Sequence, residues 1–152
     1  MAKADEYVFV LWGKGFDEAS ATIFVTEFRR VGLLVKVVGL TQRRANGAYG
    51  LALVPDITLD QVLPLAGNAI CLVVPYSSSG NSRLRNDPRL SKLFEQVNAN
   101  QATFVIGRLD AVDLDLFPPT ISKIVIDSAN EHLITVARDL AHSFSRATTA
   151  GS

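Results

Sequence analysis

The stretch that decides the fold is residues 7–40, YVFVLWGKGFDEASATIFVTEFRRVGLLVKVVGL. It opens with an apolar run, Tyr7–Trp12, and closes with a β-branched run, Leu34–Val38. Between them, Asp17–Val31 has apolar side chains at helical spacing and polar side chains on the opposite face. The pattern predicts a strand, a helix and a second strand parallel to the first. The acidic turn GKGFDEAS then falls at the sheet edge where proteins of this architecture carry their ligands.

Three further apolar runs predict three more strands: Ala69–Val74, Ala102–Ile106 and Lys123–Ile126. Runs this continuous are typical of strands that helices cover on both faces. A second helix is predicted to start at Asp87, an N-cap followed by proline, and a third after the capping box at residues 128–131. Since parallel strands need helical crossovers, the sequence predicts a three-layer, flavodoxin-like α/β sandwich with a mainly parallel five-stranded sheet.

The segment between the second and third of these strands has features of its own. Asn46-Gly47 suits a tight hairpin turn, residues 50–56 are typical of a short extra strand, and Leu59–Leu63 of a brief helix. The chain is long enough for one domain with a sizeable core. We expect this domain to span residues 1–146, with a disordered tail at 147–152.

The charge balance and the cysteine content limit the function classes. Fifteen basic and fifteen acidic side chains cancel, which disfavours binding to nucleic acid or to an anionic membrane. The apolar runs are only strand-sized, so no membrane span is expected, and the polar N-terminus lacks the apolar core of a signal peptide. A single cysteine fits a reducing compartment. Together these features predict a cytoplasmic protein.

Three stretches follow one another in an order that is known from other proteins. They are VFVLWGKGFDEASATIFVTEFRRVGLLVKVVGL from residue 8, NGAYGLALVPDITLDQV from residue 46, and VVPYSSSGNSRLRNDPRLSKLFEQVNANQATFVIG from residue 73. This series resembles the ThiJ/PfpI superfamily, relatives of the class I glutamine amidotransferases. The resemblance covers most of residues 7–107, and the predicted last strand and helix, residues 123–144, fit the family's end. It implies the same α/β fold.

The resemblance also implies where a catalytic site would lie, and the chain departs from the family at each position. Family enzymes carry a nucleophilic cysteine after the fourth strand, and that position falls at or beside Gly107. The acid that contacts the cysteine falls on Ser20, and the Pro-Gly-Gly turn that supplies oxyanion donors reads Pro75-Tyr76-Ser77. The segment that often carries the family's histidine is largely absent. We therefore predict no catalytic residues and a degenerate site at Ser20, Gly107, Tyr76 and Ser77.

The leading prediction is a non-catalytic protein with an interaction or small-molecule-sensing role. It is expected to be a homo-oligomer, because members of the superfamily commonly dimerise, or to bind a protein partner, and to need no cofactor. Cys71 lies in the middle of a predicted strand and is expected to be buried and inert. The two histidines, His132 and His142, lack ligand partners at metal spacing, so no metal site is predicted.

An alternative prediction uses the same sheet edge without a thiol. The loop Ser77–Ser82 resembles the hydroxyl-rich loop with which flavodoxins hold a flavin phosphate. It follows the third strand rather than the first, however, and the predicted helix starts several residues later at Asp87. Such a binder or enzyme would take a phosphate- or flavin-type ligand. Its candidate ligand-binding residues are Asp17, Glu18, Ser79, Gly80, Asn81 and Arg85.

Overall fold

A computed structural model describes residues 5–41, 44–75, 87–107, 117–118, 120–126 and 132–150, with side chains as far as residue 147. Its centre is a six-stranded, entirely parallel sheet with the strand order β3-β2-β1-β4-β5-β6. The strands are β1 (Tyr7–Trp12), β2 (Leu34–Gly39), β3 (Ile57–Thr58), β4 (Ala69–Val74), β5 (Thr103–Gly107) and β6 (Ser122–Ile126).

Helices cover both faces of the sheet. They are α1 (Glu18–Arg30), α2 (Leu59–Val62), α3 (Pro88–Ala99) and α4 (Leu133–Ala150), and a 3-10 helix, Leu63–Asn68, lies between α2 and β4. The predicted three-layer, flavodoxin-like α/β sandwich is confirmed. The sheet has six strands rather than the predicted five.

The sequence pattern misplaces the sixth strand, β3. The pattern predicts an extra strand within residues 50–56, whereas the strand forms at Ile57–Thr58, beside β2. Pro55 explains the difference, because proline has no N–H group to donate to a strand ladder. The bond to β2 comes instead from the N–H of Asp56, which donates to the carbonyl oxygen of Val37 at 2.8 Å.

The hairpin predicted at Asn46-Gly47 is present, but its turn lies further along the chain. Asn46 forms an antiparallel bridge with Ala52. The N–H of Gly50 closes the turn by donating to the carbonyl oxygen of Gly47 at 3.1 Å. Gly50 has a φ of +90°, a conformation that glycine adopts without steric cost. Residues 45–52 are called the hairpin loop below.

The helix ends follow from capping. Thr58 and Gln61 form a capping box at the start of α2, and the Asp87 carboxylate accepts from the N–H of Arg89 at the predicted start of α3. The capping box predicted at residues 128–131 lies outside the described residues.

The backbone of α4 is helical as far as Ala150, so the tail predicted at 147–152 is helical over its first four residues. Across the described part of the chain, no helix combines the length and apolar composition that a membrane crossing requires.

The two helix layers close the core in different ways. On one face α1 and α4 pack together, with the Phe28 ring edge-on to Phe144 and the ring centroids 5.9 Å apart. Nε of Arg138 on α4 donates to the Glu27 carboxylate on α1 at 3.3 Å. On the other face α2, the 3-10 helix and α3 pack against one another. The inner strands β1, β4 and β5 are therefore buried on both sides, which explains their continuous apolar sequences.

The strand order determines where a site would form. From β1 the chain crosses to β2 on one side, whereas β4 pairs with β1 on the other side. In parallel sheets, two adjacent strands whose connections run in opposite directions are followed by loops that diverge. Ligands bind in the crevice between those loops. One of these loops is the turn at residues 13–17, which lies between β1 and α1.

Replacing Phe28 by alanine tests the contact between α1 and α4. Phe28 is fully buried, and truncation of a buried phenylalanine lowers the free energy of unfolding by about 3–5 kcal/mol. Ile134 is the control, because it lies on α4 with 45% of its surface exposed. Ile134→Ala should change the free energy by less than about 1 kcal/mol. Urea unfolding followed by circular dichroism measures both, and equal losses would contradict this packing.

Candidate functional site

The candidate site begins at the turn between β1 and α1. The N–H of Phe16 donates to the carbonyl oxygen of Gly13 at 3.2 Å, which turns the chain sharply. The Trp12 indole lies edge-on to the Phe16 ring, with the centroids 6.4 Å apart. Nε1–H of Trp12 donates to the carbonyl oxygen of Ala45 at 3.1 Å. The Trp12 indole, which is buried against the Phe16 ring, therefore joins the end of β1 to the hairpin loop.

Asp17 is the N-cap of α1. Its Oδ2 accepts from the N–H of Ser20 at 3.0 Å, and it also accepts from the Ser20 hydroxyl. Both side chains are buried. Ser20, the position to which the resemblance assigns the catalytic acid, is thus a hydrogen-bond donor that is already paired with Asp17.

Glu18 reaches from the first turn of α1 to the hairpin loop. Its Oε2 accepts from the N–H of Tyr49 at 2.8 Å and from the N–H of Leu51 at 3.0 Å. Its Oε1 lies 3.1 Å from the same Tyr49 nitrogen. Only 7% of the residue is exposed to solvent. The carboxylate therefore holds together two segments that are more than thirty positions apart in the sequence.

The hydrogen bonds to Glu18 also determine its ionisation. Burial of the carboxylate acts to raise its pKa, because desolvation disfavours the charged form. Backbone N–H groups, led by that of Leu51, favour the charged form and together outweigh burial, so the pKa of Glu18 is lower than its ordinary value. Glu18 is consequently an ionised acceptor at neutral pH rather than a group that exchanges protons there.

Gly47 allows the close approach of Glu18. A Cβ atom at Gly47 would lie 2.5 Å from Cδ of Glu18 and 2.7 Å from Cη2 of Trp12. Distances this short are not tolerated, and both neighbours are buried. The glycine is therefore required by packing against the turn.

Among the described residues, neither Gly107 nor Cys71 brings a nucleophile to this edge of the sheet. Gly107 ends β5, is buried and pairs with Ile126 of β6. Cys71 lies within β4 between Val8 and Thr103. It is fully buried, and burial raises the pKa of its thiol far above the ordinary value. The described residues thus place Asp17, Glu18 and Ser20 together on one turn, with Gly107 two strands away.

The remaining candidate residues lie outside the part of the chain that the structure describes. They are Tyr76, Ser77, Ser79, Gly80, Asn81 and Arg85. Within the described residues, no group of three or more His, Cys, Asp or Glu side chains is arranged to hold a metal ion.

Sequence reasoning missed the contact between Glu18 and the hairpin loop. The pair of acids in a helix's first turn predicts caps and dipole partners, which fits Asp17 but not Glu18. Gly47 in the Asn46-Gly47 pair was a partial signal of this contact. A glycine that the turn geometry does not require often marks a place where another group approaches the backbone closely. The identity of the approaching group depends on tertiary structure and was not readable from the spacing.

Comparison with known proteins relates this geometry to solved structures. No family model matches the sequence, and no curated protein matches it significantly. Oxidized DJ-1 of Toxoplasma gondii superimposes with a TM-score of 0.70 at 14% identity, covering 95% of this chain and 98% of that one. A DJ-1 superfamily protein of Salmonella typhimurium, solved as a cysteine-to-alanine mutant, gives 0.67 at 17% identity, covering 95% and 91%.

A third solved structure with a similar fold is described as a ThiJ/PfpI domain protein rather than as DJ-1. The ThiJ/PfpI domain protein of Brachyspira murdochii gives a TM-score of 0.66 at 14% identity, covering 98% of this chain and 99% of that one. At these identities the likeness concerns the fold. The fold that the sequence resemblance implies is confirmed over almost the whole chain.

Replacing Gly47 by alanine should destabilise the protein. The new Cβ atom would collide with Glu18 and Trp12, and overpacking of this kind costs about 1–3 kcal/mol in the free energy of unfolding. Gly67 is a matched control, because a Cβ atom there meets no atom within 4 Å. Gly67→Ala should leave the stability unchanged or slightly raised. Chemical denaturation measures both, and equal stabilities of the two variants would refute the close packing at Gly47.

Replacing Glu18 by glutamine should weaken the hairpin loop. The amide keeps one oxygen acceptor but directs an NH2 group at a backbone donor, so the free energy of unfolding should fall by about 2 kcal/mol at neutral pH. Glu95→Gln, an exposed change on α3, is the control and should have little effect.

The Glu18→Gln difference should also depend on pH. Because folding lowers the pKa of Glu18, its carboxylate stabilises the folded state above the ordinary pKa of 4.5. This contribution is lost as the pH falls through the lower folded-state pKa. The difference in stability between wild type and Glu18→Gln should therefore be constant above pH 4.5 and shrink below it. A difference that grows on acidification would contradict the assignment.

Proposed function

Because the chain has the fold of the DJ-1/ThiJ/PfpI superfamily, we propose that it is a divergent, non-catalytic protein with an interaction role, acting as a homo-oligomer. One observation supports this proposal above the others. Glu18, an acid on the turn, holds the hairpin loop. Where the resemblance expects the acid that contacts the nucleophile, this chain has Ser20.

The hydrogen bonds of Glu18 count against a role in catalysis. A general acid or base works best with a pKa near the working pH and with access to the substrate's proton. Glu18 has a lowered pKa, is buried, and accepts from Tyr49 and Leu51. Recruiting it for proton transfer would remove the acceptor of both N–H groups, at a cost of roughly 1–3 kcal/mol for each group left unsatisfied.

The single thiol supports the same proposal. A nucleophilic cysteine is partly exposed and has a lowered pKa. Cys71 has the opposite properties, since it is completely buried in β4 and its pKa is raised. A free, buried thiol also agrees with the predicted cytoplasmic location, which remains a prediction from the cysteine content.

The alternative, a thiol-free binder of a phosphate- or flavin-type ligand, receives less support. Asp17 and Glu18 would have to serve a ligand while their oxygens accept from Ser20, Tyr49 and Leu51. The Asp87 carboxylate already accepts from the N–H of Arg89 at the N-terminus of α3. The N-terminus of α3 therefore already holds a carboxylate of the chain, which is itself paired with Arg89 at 2.8 Å.

Turnover measurements test the non-catalytic proposal. The purified protein is assayed for glyoxalase, deglycase and amidase activity, with a thiol-bearing ThiJ/PfpI enzyme as the positive control. We expect background rates for wild type, Cys71→Ala and Glu18→Gln alike. Thiol-dependent turnover that Cys71→Ala abolishes would contradict the non-catalytic proposal. Turnover that Cys71→Ala leaves intact but Glu18→Gln abolishes would favour the thiol-free enzyme instead.

A further inference from the structure

The hairpin loop contains the only Asn-Gly pair of the sequence, Asn46-Gly47. Deamidation of asparagine is fastest before glycine, because glycine has no side chain to hinder the backbone nitrogen that attacks the asparagine side chain. Asn46 is exposed to solvent, whereas Gly47 is buried. The group that would be attacked is therefore accessible, and the nitrogen that would attack it is not.

The chemistry of this pair needs only water and base. The Gly47 nitrogen loses its proton and forms a bond to Cγ of Asn46, and the side-chain nitrogen leaves as ammonia. The resulting cyclic succinimide is then opened by water at either of its carbonyl groups. One product is an ordinary aspartate. The other is an isoaspartate, in which the peptide bond runs through the former side chain and the backbone is longer by one carbon atom.

The fold holds the reacting peptide bond in place. The N–H of Gly47 donates to the carbonyl oxygen of Leu51 at 2.8 Å, and the carbonyl oxygen of Asn46 accepts from the N–H of Gly15 at 2.9 Å. Both polar groups of the peptide bond between Asn46 and Gly47 are thus hydrogen bonded. The Gly47 nitrogen can turn toward the Asn46 side chain and lose its proton only after the bond to Leu51 breaks.

We propose that Asn46 is a deamidation site that the closed hairpin loop protects, and that isoaspartate formation there releases the loop irreversibly. Deamidation then proceeds only from molecules in which the loop is open, so its rate follows the open fraction. Glu18 controls that fraction, because its carboxylate accepts from the N–H groups of Tyr49 and Leu51. This inference does not depend on the non-catalytic role proposed above.

The packing around Gly47 explains why the loop cannot close again. The additional backbone carbon shifts the Gly47 N–H relative to the carbonyl oxygen of Leu51, to which it donates in the unmodified chain. Space for a longer backbone is also missing, since a Cβ atom at Gly47 would lie only 2.5 Å from Cδ of Glu18. Isoaspartate should therefore remove the contacts that join the hairpin loop to the turn.

Trp12 provides a spectroscopic signal for release of the loop. It is the only tryptophan of the chain and is buried. Its Nε1–H donates to the carbonyl oxygen of Ala45, the residue directly before Asn46, at 3.1 Å. Release of the loop should expose the indole to water and shift its emission to longer wavelength. Asn46→Asp adds the charge of the product without lengthening the backbone, so it should leave the emission unchanged.

Incubation of the full chain at mildly alkaline pH, followed by peptide mapping with mass spectrometry, tests the proposal. Isoaspartate should form at least about tenfold more slowly in the folded protein than in the chain unfolded in guanidinium chloride. Glu18→Gln should raise the rate in the folded protein by about tenfold, because it weakens the bonds that close the loop. Glu95→Gln, an exposed change on α3, is the control and should not alter the rate. Circular dichroism confirms that each variant is folded.

Hydrogen exchange of the Gly47 amide, measured by NMR, tests the protection in the wild type alone. The same opening exposes this N–H to exchange and frees its nitrogen for deamidation. The factors by which the fold slows the two reactions should therefore agree within about an order of magnitude.

Each result decides one part of the proposal. Equal deamidation rates in the folded and unfolded chain would overturn the protection, as would equal rates in Glu18→Gln and Glu95→Gln. Fast exchange of the Gly47 amide in a chain that deamidates slowly would also overturn it. Isoaspartate-containing protein with unchanged Trp12 emission would overturn the release of the loop. None of these results bears on catalysis, which the turnover assays test separately.

Discussion

The hydrogen bonds from the Tyr49 and Leu51 N–H groups to the Glu18 carboxylate are the constraint on which the candidate site depends. They join the turn after the central strand to a hairpin that has only one backbone bridge of its own, between Asn46 and Ala52. A hairpin with so little internal pairing is marginal in water. A buried, ionised acceptor supplies the missing stabilisation, and Gly47 provides the room for it.

An acid at the end of a first parallel strand can serve catalysis or structure, and its surroundings decide between them. Backbone donors hold the charge of Glu18 in place and lower its pKa. An apolar environment without such donors would have raised the pKa toward the range useful for proton transfer. A glutamate is therefore a structural acceptor where backbone N–H groups donate to its carboxylate, and is better suited to proton transfer where they do not.

The fold was readable from the sequence because its elements have local causes. The continuous apolar strands, the periodicity of α1 and the Asp87-Pro88 helix start each depend on residues that are close together in the chain. Strand β3 was misplaced because Pro55 interrupts an otherwise strand-like run. The role of Glu18 was not readable, because its partners are more than thirty positions away. Nothing in its immediate neighbours distinguishes a dipole partner from a long-range acceptor.

The strand order has a consequence for the way the chain is assembled during synthesis. The central strand β1 has β2 on one side, which follows soon after α1, and β4 on the other, which begins only at Ala69. Until β4 leaves the ribosome, one edge of the central strand has no partner, and such an edge invites pairing with other chains. The hairpin loop is made during that interval. Its hydrogen bonds to Glu18 and Trp12 involve no residue of β4, so all the groups that form them are already present before β4 is made.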